Sequence, residues 1–148
     1  MDTGKERGGK GIILDLEGRR AVVTGGGRGL GYGIAQALHG SGAEVIITGR
    51  TGRALEAAAE IGGSGPSAYG VTGDLSKKQQ REAVCERIME IYNGRVDILV
   101  NAAGALNRCA AFEVLPDDWN EVIELNLNAV FFMSQRLGKS MAARHYGK

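Results

Sequence analysis

The first residues that could do chemistry are eight in a row, Thr24 to Gly31, which read TGGGRGLG. They stand between a short β-branched run and a helical pattern. Glycine in a helix costs roughly 1 kcal/mol per position relative to alanine, so a cluster of glycines at a helix start needs a physical reason. Bare backbone amides and the positive end of a helix together form a site for an anion. The stretch therefore predicts an anion site, with a purely structural glycine turn as the alternative.

The spacing of these glycines can be compared with that of known phosphate-binding motifs. Gly26 and Gly31 have the spacing of the GxxxxGK[ST] loop, but Tyr32 stands where that loop needs its lysine. The GxGxxG pattern also fails in every register from 25 to 33. The pattern TGxxxGxG fits from Thr24 onward. The spacing therefore argues against a phosphotransferase of the GxxxxGK[ST] type and favours the pyrophosphate of a dinucleotide.

Polar side chains also stand at the ends of two further predicted strands. Asp74 lies in GDL after the third strand, and Asn101 lies in ILVNAAG at the end of the fourth. Asp74 could simply cap the next helix, but Ser76 fits that position better, because Gln79 follows it with the spacing of a capping box. We therefore expect Asp74 to serve binding. For Asn101, a turn-forming role is the alternative.

Asn126 falls inside the long helical pattern WNEVIELNLNAVF, at 119–131. Asparagine is a poor residue for a helix interior, because its side chain competes with the backbone hydrogen bonds. This position is therefore a candidate functional site. The neighbouring Asn128 leaves a second interpretation open, since a solvated helix face would also carry polar residues.

Short apolar runs and helical patterns alternate along the chain, and they must position these residues. Strands are predicted at 20–25, 43–49, 66–74 and 96–104, each followed by a helix, and the last helix is opened by Pro116. The order predicts an α/β fold, a doubly wound parallel sheet of about four strands in the order 3-2-1-4 with four helices. The apolar block Val130–Met133 is interpreted as core packing.

The composition limits the possible functions. The chain has 148 residues, 43% of them hydrophobic and 5% aromatic, with a formal net charge of +1. One domain is expected, with no nucleic-acid partner and no membrane surface. Cys85 and Cys109 lack metal-ligand spacing and are expected to be buried or partly buried free thiols, with no metal site.

The beginning of the chain is polar. Residues 1–11 lead into only three apolar residues, Ile12 to Leu14, which is too short for a signal-peptide core or a membrane span. We interpret 1–11 as a disordered N-terminal leader and 12–148 as the folded part of a cytoplasmic protein.

Taken together, TGGGRGLG, GDL, ILVNAAG and WNEVIELNLNAVF resemble, in this order, motifs of the short-chain dehydrogenase/reductase family. The resemblance covers about Leu14 to Lys148 and departs at Ala102, where the family has a second asparagine. It implies the N-terminal part of an NAD(P)-binding Rossmann domain that serves hydride transfer between a nicotinamide and a secondary alcohol or ketone. It assigns a catalytic role to Asn126, which would hold a water in the proton relay. It assigns cofactor binding to Gly25, Gly27, Arg28, Gly29, Leu30, Gly31, Arg50, Asp74, Leu75, Asn101, Ala102 and Gly104.

The choice of cofactor depends on the end of the second strand. A carboxylate there would bind both ribose hydroxyls and favour NAD. The sequence has Gly49 and Arg50 instead, and Arg28 lies within the glycine loop. Because guanidinium groups bind phosphate well, NADP(H) is the preferred cofactor, with NAD(H) as the alternative.

The family's proton donor is a tyrosine in a YxxxK pair, assisted by an upstream serine. No lysine follows any of the four tyrosines at the fourth position, and by resemblance the fifth strand would begin near Tyr146. We therefore expect the catalytic pair to lie beyond Lys148, and no useful turnover from these residues alone. The edge of the fourth predicted strand would then lack its neighbouring strand.

Two functions remain open at this point. The first is a fragment of an oxidoreductase acting on a small molecule, nearest to the gluconate and deoxygluconate dehydrogenases and then to the 3-oxoacyl carrier-protein reductases, with a homo-oligomer expected for the full-length enzyme. The second is a non-catalytic nucleotide-binding or interaction module.

Overall fold

Four parallel strands form the centre of the molecule, in a computed structural model that describes residues 15–63 and 65–148. The order across the sheet is β3-β2-β1-β4, as predicted. The proposed leader, 1–11, lies outside the described residues. The strand bounds are β1 Arg20–Thr24, β2 Glu44–Gly49, β3 Ala68–Thr72 and β4 Ile98–Asn101.

Helices cover both faces of this sheet. On one face, Ala21, Val23, Val45 and Ile47 of the strands pack with alanines of α1 and α2; on the other face, Val22 and Ile46 pack with side chains of α3 and α5. The helix bounds are α1 Gly29–Gly40, α2 Arg53–Gly62, α3 Lys78–Ile91, α4 Pro116–Ile123 and α5 Ala129–Ala143. The predicted doubly wound architecture is confirmed.

The last two helices form one continuous rod. A π-helical turn, Glu124–Asn128, joins α4 to α5, and a 3-10 turn, Ala111–Glu113, precedes them. Pro116 opens α4 as the sequence predicted, since its missing N–H is not needed in the first turn. No helix in the described part of the chain is long and apolar enough to span a membrane.

The β4 edge receives the backbone of Lys148. The N–H of Lys148 donates to the carbonyl of Asp97 at 3.0 Å, and the N–H of Leu99 donates to the carbonyl of Lys148 at 2.9 Å. These two hydrogen bonds have the pattern by which a neighbouring parallel strand would pair with β4. Lys148 therefore lies where the sequence predicted the start of a fifth strand.

The capping prediction for α3 was wrong. The N-cap is Lys77, and no side chain caps the helix. Ser76 donates instead to the Oδ1 of Asp74, through its backbone N–H at 3.0 Å and its hydroxyl at 2.8 Å. A carboxylate that binds the backbone two residues on favours this local turn over a serine cap.

Two burial predictions also need correction. Cys85 is buried, but Cys109 is exposed, because it lies in the irregular segment that follows β4. In the block Val130–Met133, Met133 is fully buried, whereas Phe131 and Phe132 are 58% and 44% exposed. Neighbouring residues of a helix point in directions about 100° apart, so a run of four cannot all face the core.

A buried carboxylate holds the amino-terminal end of the sheet together. Asp97 is fully buried and accepts hydrogen bonds from Arg144 at 2.8 Å, from the backbone N–H of Arg20 at 3.1 Å and from Arg95. Burial alone would raise the pKa of Asp97, but the hydrogen bonds from Arg95, Arg144 and Arg20 outweigh it and hold that pKa below its ordinary value. The carboxylate of Asp97 thereby links the start of β1, the segment before β4 and the end of α5.

We predict that Asp97→Asn lowers the free energy of unfolding at pH 7 by about 2–3 kcal/mol, somewhat less than a fully buried pair, because both guanidinium groups reach solvent. The folded pKa is depressed, so the stabilisation is complete above the unfolded value of about 3.9 and is lost as pH falls through the folded pKa. Urea denaturation of the unaltered protein and of Asp97→Asn at pH 7 and pH 3 measures both free energies of unfolding. The difference between them should be smaller at pH 3 than at pH 7. Glu86→Gln, on the exposed face of α3, is the control; an equal loss there would contradict the prediction.

Candidate functional site

The glycine loop between β1 and α1 lies against the segment that follows β4. Gly25 has φ +66°, and a Cβ added to it would lie 2.7 Å from the Cα of Ala103. A Cβ on Gly31 would lie 2.6 Å from the carbonyl oxygen of Gly25. Both neighbours are backbone and cannot rotate away, so these two positions require glycine.

The hydroxyl of Thr24 fixes the same contact from the strand side. Its Oγ1 accepts from the backbone N–H groups of Ala102 and Ala103, each at 3.1 Å, and lies 3.4 Å from the carbonyl oxygen of Val100. Thr24 is 1% exposed. The sequence placed Thr24 in the glycine pattern, but its role as the link to the β4 side emerges only from the fold.

Among the residues that the structure describes, no side chain caps the amino terminus of α1. Its N-cap is Arg28, whose backbone is extended, and no acidic residue stands in the first turn. Leu30 in that turn is 80% exposed. Helix termini with uncapped amides bind anions through those amides and the helix dipole. The local structure therefore agrees with the predicted anion site.

A cavity of about 520 Å³ opens above the carboxyl ends of the strands. It is lined by all of the predicted cofactor-binding residues except Asp74 and Asn101, namely Gly25, Gly27, Arg28, Gly29, Leu30, Gly31, Arg50, Leu75, Ala102 and Gly104. Its volume lies within the range of about 300–1,000 Å³ that is usual for small-molecule sites.

Sequence reasoning missed several residues that line this cavity: Thr48, Gly49, Thr51, Arg53, Ala54, Gly73, Ala103 and Leu125. Most of them stand next to a predicted position. Since the carboxyl ends of parallel strands meet at one edge of the sheet, the residues that end or follow each strand could have been included on that ground.

Three arginines line the cavity, and they differ in their partners. The side chain of Arg50 lies 3.7 Å from Glu121 of α4. Arg53 bonds Glu60 at 2.7 Å and Glu56 at 3.2 Å, and these hydrogen bonds, that to Glu60 first, raise the pKa of Arg53 above its ordinary value. Within 15–63 and 65–148, Arg28 forms no ion pair. Arg53 is therefore committed to α2, whereas Arg28 and Arg50 can reach a ligand.

Two predicted residues face elsewhere. Asn101 ends β4, and its amide donates to the hydroxyl of Ser134 in α5 at 3.2 Å. Asp74 is half-buried, its carboxylate holds Ser76, and its backbone N–H donates to the side chain of Gln80 at 2.8 Å. Both lie beside cavity residues, Ala102 and Leu75, rather than among them.

Asn126 lies in the π-helical turn, so the helix is irregular at the position that the sequence singled out. Its side chain forms two hydrogen bonds with one residue: Oδ1 accepts from the N–H of Ala105 and Nδ2 donates to its carbonyl, both at 2.8 Å. A Cβ added to Gly104 would lie 3.4 Å from the Oδ1 of Asn126. Asn126 thus fixes the segment that leaves the cavity after β4.

A buried arginine connects the π-helical turn to the loop after β3. Arg81 is 5% exposed, donates to the carbonyl of Leu75 at 2.7 Å and lies 3.6 Å from Glu124. The side chain of Glu124 in turn accepts from Asn128 at 2.6 Å. Nothing in the sequence pattern distinguished Arg81 from a solvated helix residue.

The fold and this site define a Rossmann-like α/β domain whose cavity lies at the point where the strand order reverses. A family model described as short chain dehydrogenase matches residues 19–148. The chain therefore belongs to the short-chain dehydrogenase family, as its motifs indicated.

Individual relatives agree with this assignment. A 2-dehydro-3-deoxy-D-gluconate 5-dehydrogenase of Bacillus subtilis is 38% identical over 136 residues, which are 91% of this chain and 52% of the relative. A gluconate 5-dehydrogenase of Gluconobacter oxydans is 35% identical over 140 residues, 92% of this chain and 53% of the relative. The chain thus spans about half the length of these relatives.

Solved structures also resemble the fold closely. A 3-oxoacyl (acyl-carrier-protein) reductase from Agrobacterium tumefaciens C58, crystallised with NADP bound, superposes with a TM-score of 0.83 at 36% identity. The match covers 92% of this chain and 52% of that one.

The glycine loop yields a testable prediction. Gly25→Ala introduces both a side chain at positive φ and a collision with the backbone of Ala103, so it should lower the free energy of unfolding by about 2–4 kcal/mol. Urea denaturation measures the change. The control is Gly33→Ala, where nothing lies within 4 Å of the added Cβ and the helix should gain up to about 1 kcal/mol. Similar effects of the two substitutions would refute the assigned geometry.

Proposed function

We propose that the protein is an NADP(H)-dependent oxidoreductase whose residues 19–148 hold the cofactor at the cavity above the sheet. The observation that carries this proposal is the uncapped start of α1 behind a glycine loop, with Arg28 and Arg50 both lining the cavity. When bound, NADP(H) supplies or accepts the hydride in the interconversion of a secondary alcohol and a ketone.

The chain's own residues fit such a dinucleotide. Gly25 and Gly31 lie directly against neighbouring backbone, with no side chain between. The backbone amides in the first turn of α1 are suited to bind a pyrophosphate. Leu75 and Leu125 are largely buried and line the same cavity, so they offer apolar surface to an adenine ring. We propose that Asp74, next to Leu75, accepts a hydrogen bond from the adenine amino group.

The charges of the cavity support a 2′-phosphate. The end of β2 presents Gly49 and Arg50 rather than a carboxylate, and Arg28 of the glycine loop lines the same cavity. Two guanidinium groups can bind a phosphate through several charge-assisted hydrogen bonds. NADP(H) is therefore the proposed cofactor, and NAD(H) is the alternative that the binding experiment below distinguishes.

Asn126 and Asn101 are assigned supporting roles. Through its two bonds to Ala105, Asn126 holds the segment that would border the nicotinamide side of the site, and we propose that it also holds a water of the proton relay. Asn101 holds Ser134 and thereby the end of β4 against α5. We propose that Asn101 supports the ribose indirectly.

The substrate class follows from the relatives rather than from this cavity. Their names point to sugar acids such as gluconate derivatives, and to 3-oxoacyl groups as a second class. We propose a small hydroxy or keto acid of the first class and a cytoplasmic location. Exposed apolar side chains on the α4–α5 rod, among them Trp119, Leu127 and Phe131, support a homo-oligomer for the full-length enzyme.

Nucleotide binding by this chain tests the cofactor proposal. Calorimetric titration should show tighter binding of adenosine 2′,5′-bisphosphate than of adenosine 5′-monophosphate. Arg50→Gln should cut that preference about tenfold, because a charge-assisted hydrogen bond is lost. Arg87→Gln, on the exposed side of α3, is the matched control and should change nothing. Equal affinity for the two nucleotides would refute the preference for NADP(H).

A nucleotide-binding module without catalysis is the alternative function. No tyrosine in the 148 residues is followed by lysine at the fourth position. We expect the 148-residue chain to bind nucleotide but to consume no NADPH with ketone substrates, measured by absorbance at the nicotinamide band. A missing acid–base group typically costs about 10²–10⁴ in rate. Steady NADPH consumption that depends on the ketone would contradict this expectation.

A further inference from the structure

Arg50, the proposed 2′-phosphate ligand, already has an anionic partner in the folded chain. Its Nη1 lies 3.7 Å from Oε1 of Glu121. Arg50 follows β2, whereas Glu121 belongs to α4, the helix that leads into Leu125 on the cavity wall. The ion pair therefore joins Arg50, which lines the cavity, to a helix that is far away in sequence and leads to Leu125 on the cavity wall.

The ion pair between Arg50 and Glu121 is exposed, so Arg50 can exchange this partner for another without much loss of stability. The side chains of Arg50 and Glu121 are 54% and 52% exposed, and ion pairs of this kind contribute little to stability. Arg81, by contrast, is buried and held by a hydrogen bond to Leu75 and an ion pair with Glu124. Asp97 is buried and accepts several hydrogen bonds. A guanidinium held only by an exposed carboxylate can turn to a better acceptor at small cost.

The other cavity arginines cannot take over this role. Arg53 is engaged by Glu56 and Glu60. Arg28 is the N-cap of α1 and, among residues 15–63 and 65–148, pairs with no carboxylate of α4. Of the three, Arg50 alone is shared between the cavity and a carboxylate of the α4–α5 rod.

We propose that Glu121 is a specificity-determining residue that competes with the 2′-phosphate for Arg50. In the absence of a 2′-phosphate, the carboxylate holds the guanidinium; a nucleotide that carries this phosphate must displace it. Glu121 thereby lowers the preference of the site for 2′-phosphorylated over unphosphorylated adenosine nucleotides. This inference rests on the function proposed above.

Glu121→Gln tests the competition, because it removes the charge and keeps the size of the side chain. It should tighten the binding of adenosine 2′,5′-bisphosphate about two- to fivefold, the range expected for an exposed ion pair. The affinity for adenosine 5′-monophosphate should not change. Both affinities are measured by calorimetric titration of the full 148-residue chain.

A matched control separates the ion pair from the general charge of the helix. Asp117→Asn removes an exposed carboxylate from the first turn of the same helix, four residues earlier. The ratio of the affinities for the two nucleotides should be the same in this variant as in the unaltered chain. An equal gain with Asp117→Asn would overturn the inference.

A double substitution tests whether the effect passes through Arg50. In a chain that already carries Arg50→Gln, adding Glu121→Gln should not change the affinity for the bisphosphate. A full gain in that background would mean direct repulsion between Glu121 and the phosphate, which overturns competition for Arg50.

The outcomes distinguish this inference from the proposed function. If the unaltered chain binds neither nucleotide, the proposed function fails and the inference fails with it. If the chain binds the bisphosphate preferentially and Glu121→Gln changes nothing, only the inference is overturned.

Discussion

The contact between the first and fourth strands at their carboxyl ends governs the geometry of the site. Thr24 binds two amides of the segment after β4, and Gly25 lies against Ala103 with no room for a side chain. From this point the chain runs to β2 on one side, while β4 lies on the other. The cavity exists because the helices that leave these two strands diverge there.

The two ends of the sheet are held by different physical means. At the amino end, the buried Asp97 accepts hydrogen bonds from the side chains of Arg95 and Arg144 and from the backbone N–H of Arg20. At the carboxyl end, the strands approach through backbone and one hydroxyl, which leaves amides and guanidinium groups for a ligand. The same sheet is thus held by a buried carboxylate at one end and borders a cavity at the other.

Much of the fold and the loop could be read from the sequence, because both depend on local patterns. Alternating apolar runs and helical patterns predicted a doubly wound parallel sheet with its usual strand order, and the spacing of Gly25, Gly29 and Gly31 located the loop that lines the cavity. Asn126 was singled out because asparagine is unfavourable in a helix interior, and the helix is irregular at that position.

The remaining features depend on which surfaces the fold brings together. Ser76 could not be distinguished from a cap, since its partner is the carboxylate of Asp74. Arg81 resembles any exposed helix residue until Leu75 and Glu124 come to lie beside it. The pairing of Arg50 with Glu121 joins residues 71 positions apart, and no local pattern encodes it.

The two cysteines give the chain a built-in contrast in reactivity. Cys85 is buried next to Met133, and burial raises the pKa of its thiol to about 11, which leaves little thiolate at neutral pH. Cys109 is exposed in the segment between Gly104 of the cavity and Pro116 of α4. A thiol-reactive fluorophore would therefore attach at Cys109 alone, without any engineered cysteine. Its emission would report on movements of the cavity rim in the native sequence.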